Sequence, residues 1–150
     1  MRLLYISLLI SSLELHSQVN NDSLFNYIQS NRKIELLMTT IFNYETDNGR
    51  VKKLGDQLGW GHMRPIYVDD VNRICNKFIY HTRGKIYYYY SSRADSVKTV
   101  EMFKVWQWYY NPKCNKEFGA RAHNAGKNWD GRDADIYWSR IKKRLNKKLK

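Results

Sequence analysis

Ile34, Leu37, Met38 and Ile41 recur at the spacing i, i+3, i+4, i+7. That spacing lines one face of an α-helix and cannot be sustained by a strand, whose side chains alternate. The same period returns in Val68, Val71, Ile74, Cys75 and Phe78. It returns again in Val97, Val100, Phe103, Trp106 and Tyr110, and finally in Tyr137, Ile141, Leu145 and Leu149. Four such stripes in 150 residues, with only two prolines and eight glycines to interrupt them, predict a mainly α single domain with at most a minor β element. No internal repeat is visible.

Local signals place the boundaries. Asp22 or Ser23 can cap a helix ahead of the first stripe, and Gly49 stops the helix that carries it. Leu54 to Met63 contains Gly55, Gly59 and Gly61 and reads as a loop. Pro65 suits a first helical turn, which puts Asp69 and Asp70 near the positive helix end. Tyr87 to Tyr90 reads as a short strand or a wet aromatic surface. Asp95 or Ser96 caps the third stripe and Pro112 closes it. A short helix is expected from about Phe118 to His123, and a last one from about Asp135.

Charge narrows the class of partner. The formal net charge is +12, and seven basic residues from Arg140 to the C-terminus supply more than half of it. Such a surface favours a polyanion: nucleic acid, a membrane surface or an acidic wall polymer. At the other end, Arg2 precedes a mostly apolar run, Leu3 to Leu13, with Ser17 following. The run is shorter than the roughly 20 residues a spanning helix needs, so residues 1–17 read as a signal peptide and 18–150 as the mature domain with a basic C-terminal helix. The alternative is an amphipathic first helix. Export would allow Cys75 and Cys114 to form a disulfide; otherwise they are buried thiols. His16, His62, His81 and His123 have no metal-binding spacing, and no phosphate loop or dinucleotide fingerprint is present. No metal or cofactor is expected.

One carboxyl falls in a special place. Glu45 continues the 34–37–38–41 face by one more turn, at the C-terminal end of the helix. Partial desolvation and the negative helix end both favour the neutral acid there. A group that holds a proton near neutrality is what general-acid cleavage of a glycoside requires. On periodicity alone a solvated helix-end glutamate is the commoner reading.

Three segments in order add to this reading: Tyr44-Glu45-Thr46-Asp47-Asn48-Gly49, the glycine loop ending His62-Met63-Arg64-Pro65-Ile66-Tyr67, and Ala122-His123-Asn124-Ala125-Gly126. They resemble the signature motifs of the lysozyme-like lytic transglycosylase superfamily, of the soluble-lytic-transglycosylase type related to goose-type lysozyme. Its motifs are Glu-Ser at a helix end, a Gly-Leu-Met-Gln loop, and Ala-Tyr-Asn followed by small residues. The resemblance covers roughly residues 34 to 145. It implies a lysozyme-like fold and cleavage of the β-1,4 bond between N-acetylmuramic acid and N-acetylglucosamine in peptidoglycan, with Glu45 as general acid/base. Thr46 stands at the family serine, His62 at the glutamine and His123 at the tyrosine that helps position the catalytic glutamate. A charged histidine at that place would favour the ionised Glu45.

The resemblance also nominates a glycan-binding set. Gly61, His62, Met63 and His123 lie in the motifs, Trp60 and Trp129 offer rings to a sugar face, and Arg64 and Asn124 are donors to the N-acetyl and lactyl groups. Trp106, Trp108 and Trp138 fall on helices and read as core or rim. Asp47 points away from Glu45, and Asp56 is a loop carboxylate, so one-carboxylate chemistry is expected: the sugar's own 6-hydroxyl closes a 1,6-anhydro ring. A hydrolase would need a positioned water. The expected partner is the glycan strand, met by a monomer that is exported to the periplasm or the extracellular space, with no nucleic acid and no membrane span in the mature chain. The competing classes are a non-catalytic peptidoglycan-binding module on the same fold, for which the replaced motif residues speak, and a basic nucleic-acid-binding protein, for which the charge speaks.

Overall fold

The computed structural model describes residue 26 and residues 30–51, 53–79, 87–126 and 129–148. The proposed leader, the cap at Asp22 or Ser23, His81 and Leu149 lie outside them. The described chain is mainly α-helical with one small antiparallel hairpin. Its elements are α1 (Arg32–Glu45), β1 (Lys53–Leu54), β2 (Gln57–Leu58), α2 (Pro65–Ile74, continued by a wider turn over Cys75–Ile79), a 3₁₀ segment (Tyr90–Ala94), α3 (Ser96–Tyr110), α4 (Lys116–Ala125) and α5 (Arg132–Lys148).

Helix α3 is the centre of the fold. Residues 102–108 are all buried, so its middle is covered on every side rather than along one stripe. Polar members of that run are therefore paired: Lys104 with Glu35 of α1, and Gln107 with Asn111 and the Gly119 carbonyl. Helix α1 packs on α3 through Ile34, Leu37 and Ile41, with Phe42 edge-on to Phe103 at 5.5 Å. Helix α4 comes close to both through Gly119, where a Cβ would stand 2.8 Å from Leu37 and from Gln107. Helix α5 closes the bundle with Ala134, Tyr137, Ile141 and Leu145. Helix α2 lies on the other side of α3.

The elements differ from the sequence expectations in several places. The segment 54–63 is not all loop, because two-residue strands pair Lys53 with Leu58 and Leu54 with Gln57, and Leu58 bridges to Met63. Tyr87 to Tyr90 is not a strand but, at Tyr87, Tyr89 and Tyr90, the exposed aromatic surface of the other reading. Tyr88 is buried, its backbone held on both sides by Asn72 at 2.8 and 2.9 Å, while its neighbours are exposed. Val97 is 62% exposed, not inward, because it sits in the first turn of α3 outside the packed region. Asp69 and Asp70 stand in the second turn of α2, one turn past the dipole end. Helix α4 extends further at both ends than expected, starting where Asn115 caps it, and α5 begins three residues early at Arg132. Cys75 and Cys114 are both buried free thiols. Burial first, then the Glu101 charge, pushes Cys75 up to about 11, so it is a packing residue and not a nucleophile.

Asp95 caps α3 by accepting from Val97 N at 2.8 Å and Lys98 N at 3.0 Å. Asp95→Ala is expected to cost about 1 kcal/mol in urea unfolding, the usual value of such a cap. No described helix is long and apolar enough to cross a membrane.

Candidate functional site

The site begins where α1 ends. Thr46 terminates the helix by folding its hydroxyl back onto the Phe42 carbonyl at 2.7 Å and accepting Gly49 N at 2.8 Å. The following residues Asp47, Asn48 and Gly49 all take positive φ. This sharp exit leaves the Glu45 side chain, only 17% exposed, facing the glycine loop. Trp60 from that loop covers Gly49, whose Cβ would stand 3.0 Å from the indole.

Glu45 lies in the wall of an open cavity of about 810 Å³. Gly61, His62, Met63 and Arg64 enter it from the loop, His123 and Asn124 from the end of α4, and Trp129 from the turn before α5. Eight of the sequence-nominated residues, Glu45 included, therefore share one cavity. Thr46 and Trp60 stand behind the lining: the first is a buried helix terminator and the second packs on Gly49. Asp47 is exposed beside Arg50, and Asp56 is exposed near Arg64.

His62 is the closest basic group to Glu45. Its Nδ1 is 3.4 Å from Glu45 Oε2, and its Nε2 is 3.0 Å from the Val51 carbonyl oxygen. A carbonyl oxygen only accepts, so Nε2 carries a hydrogen. His123 is oriented differently. Its Nε2 donates to the Gly61 carbonyl at 2.9 Å, and its Nδ1 is buried without a partner. Burial lowers the proton affinity of His123 below the ordinary histidine value, against the smaller opposing pull of Glu45 and of the Gly61 bond. The ring is therefore neutral at pH 7 and does not add a positive charge to the carboxyl. It fixes the glycine loop to α4, between the rings of Tyr67 and Phe103.

Several site residues were not foreseen in the sequence. Tyr137 of α5 buries its hydroxyl beside Glu45 without a well-formed hydrogen bond. Burial first, then the Glu45 carboxyl, holds that phenol protonated well above its ordinary range. At the opposite end of the cavity Asp70 accepts from Arg73 at 2.7 Å, Tyr110 at 3.0 Å and Trp106 at 3.1 Å. Asp69 accepts from Tyr90 at 2.9 Å. The i, i+3 pair Asp70 and Arg73 was visible in the sequence; their convergence with α3 was not. Trp106, expected at the core or rim, is buried and also lines the cavity.

Chemically, the cavity offers one shielded carboxyl with a basic and a phenolic neighbour, aromatic walls, and exposed donors at Arg64 and Asn124. No protein-family model, curated protein or solved structure matches this chain.

Proposed function

We propose that this protein cleaves the glycan strands of peptidoglycan at the β-1,4 bond after N-acetylmuramic acid, with Glu45 as the acid/base. The observation that carries the reading is the placement of Glu45: a mostly buried carboxyl at a helix C-terminus, opening into a cavity large enough for more than one sugar ring. The three motif segments that resemble the lytic transglycosylases meet around that cavity, although His123 of the third is 62 residues from Gly61 and 78 from Glu45.

Lone-carboxylate chemistry suits the lining. The other carboxylates there are Asp69 and Asp70, and Asp70 is engaged by three donors. In the transglycosylase reaction Glu45 gives its proton to the leaving glycosidic oxygen as the C1–O4 bond breaks. The 6-hydroxyl of the same sugar then attacks C1, and its proton returns to Glu45. Trp129 and Arg64 are placed to meet a sugar face and its acyl groups. The net charge of +12 favours approach to an anionic wall. Export through the N-terminal segment belongs to the same proposal.

A non-catalytic binding module is the second reading. It is favoured by His123, which stands at the family's tyrosine position yet bonds Gly61 and not Glu45. Tyr137 weighs against it, since it places a hydroxyl beside the carboxyl from another helix.

The test is product analysis of purified peptidoglycan incubated with the protein. Soluble 1,6-anhydro muropeptides are the expected product by mass spectrometry. Products with reducing ends would keep the site and change the reaction to hydrolysis. Sedimentation with the wall and no soluble product would leave the binding module standing.

A further inference from the structure

We propose that Glu45 and His62 hold one proton between them, so that His62 is the second half of the acid/base and not a ligand for sugar. The inference rests on the reading of Glu45 as the acid, but it is argued from the geometry of the pair.

Three features combine. First, the tautomer is fixed. Nε2 donates to the Val51 carbonyl at 3.0 Å, so Nδ1 bears a hydrogen only when the ring is an imidazolium. Second, Nδ1 faces Glu45 Oε2 at 3.4 Å. A bare nitrogen lone pair against a carboxylate oxygen is repulsive, so the contact is attractive only when a proton lies on one side or the other. Third, the arrangement is built. The His62 side chain is 3% exposed, and its backbone takes φ +44, a conformation non-glycine residues hold only when their surroundings impose it. Its N–H bonds Gly59 at 3.2 Å, and the next residue's carbonyl is held by Arg93 at 2.8 Å.

The groups facing this pair complete the electrostatics. Glu45 comes from α1, the neutral His123 from α4 and the protonated Tyr137 from α5, while the Arg93 guanidinium sits behind Met63 on the far side of the loop. The Tyr137 hydroxyl is the other proton-bearing group beside Glu45, but burial and the carboxyl hold its proton firmly, so the proton exchanged with Glu45 is the one on Nδ1.

The step balances without another reactant. The Nδ1 proton moves to the Glu45 carboxylate, leaving a neutral ring still bonded to Val51. Glu45 then gives that proton to the glycosidic oxygen and recovers one from the 6-hydroxyl, so the pair ends with the proton it began with. A glutamine at 62, the residue of the resembling family, can donate an N–H to the carboxylate but cannot store a proton.

Nuclear magnetic resonance of the full chain tests the shared proton without any substrate. In ¹⁵N and ¹³C spectra across pH, the neutral His62 ring is expected to carry its hydrogen on Nε2. Its Nδ1 and the Glu45 carboxyl carbon are expected to change together through one common step, and Glu45→Gln should abolish the joint step. A neutral ring protonated on Nδ1, or two independent steps, would overturn the proposal. The activity arm uses purified peptidoglycan. His62→Gln should move the alkaline limit of glycan release to lower pH by about one unit or more. His62→Asn, better suited to positive φ, should do the same. An unmoved limit in a folded variant would also overturn it. If the wild type releases no glycan at any pH, the glycan reading fails, and the spectra still decide the shared proton. If the variants do not fold, the wild-type spectra decide alone.

Discussion

Glu45→Gln is expected to lower the rate of glycan release from peptidoglycan by about 10²- to 10⁴-fold, the usual worth of a positioned general acid/base, while leaving sedimentation with the wall unchanged. The substitution keeps the volume of the side chain at the end of α1, so the packing against the loop survives. The amide can still donate to His62 Nδ1, where Glu45 Oε2 now stands at 3.4 Å. What it cannot do is release a proton to a leaving oxygen. The affected step is chemistry and not binding, so the loss should fall on kcat with KM little changed. Thermal unfolding should confirm that the variant is folded, since the amide keeps a polar partner for His62 Nδ1 in place of the carboxylate 3.4 Å away. A variant that retained full activity would remove Glu45 from the mechanism, and the proposed glycan cleavage would need another acid. The remaining cavity carboxylates are poor replacements: Asp70 is held by Arg73, Tyr110 and Trp106 at the far end.

The fold was legible where one helix face does one job. The stripe 34–37–38–41 and the stripe 68–71–74 each bury against a single side of the core, so apolar periodicity and the Pro65 start signal placed α1 and α2. It failed at α3. A helix buried all round has no polar face to give it away, and the stripe through Val97 put a half-turn of solvent-exposed chain in the core. It failed also at the hairpin, whose two-residue strands are too short to alternate and are held by the loop's own bridge and by Arg93.

The candidate site divides in the same way. Glu45, His62 and His123 could be nominated because each sits in a short motif. Their relation could not, since it depends on contacts such as His123 to Gly61, 62 residues apart. Tyr137 read as one more core residue of α5, because burial and a place beside a carboxyl leave the same mark on a sequence. Trp60 shows a structural role that its motif did not announce. An aromatic in a glycine loop suggests a sugar platform, yet this one fills the space over Gly49 that a side chain would have taken.

Gly59→Ala should cost at least about 3 kcal/mol in urea unfolding, a large share of the roughly 5–15 kcal/mol that holds a domain folded. Gly59 has φ +78, and a Cβ built there lies 1.6 Å from the Arg93 carbonyl oxygen and 2.7 Å from its carbon. Both obstacles are backbone, so no rotamer change relieves them. The 3₁₀ segment that carries them is pinned in turn. The Arg93 carbonyl accepts the Thr99 hydroxyl at 2.9 Å, and its side chain donates to the carbonyls of Tyr90, Asp56 and Met63 at 2.8, 2.6 and 2.8 Å. Pushing the hairpin away strands a mostly buried guanidinium, which adds a desolvation cost to the steric one. Gly55→Ala is the control within the same hairpin. It has φ +60 with nothing within 4 Å of the added carbon, so it should cost only about 1–2 kcal/mol, the conformational penalty alone. Equal losses at the two glycines would mean that the hairpin yields easily and that close approach to Arg93 does not matter. A larger loss at Gly59 would tie the stability of the domain to the contact that also sets His62, three residues on, against Glu45.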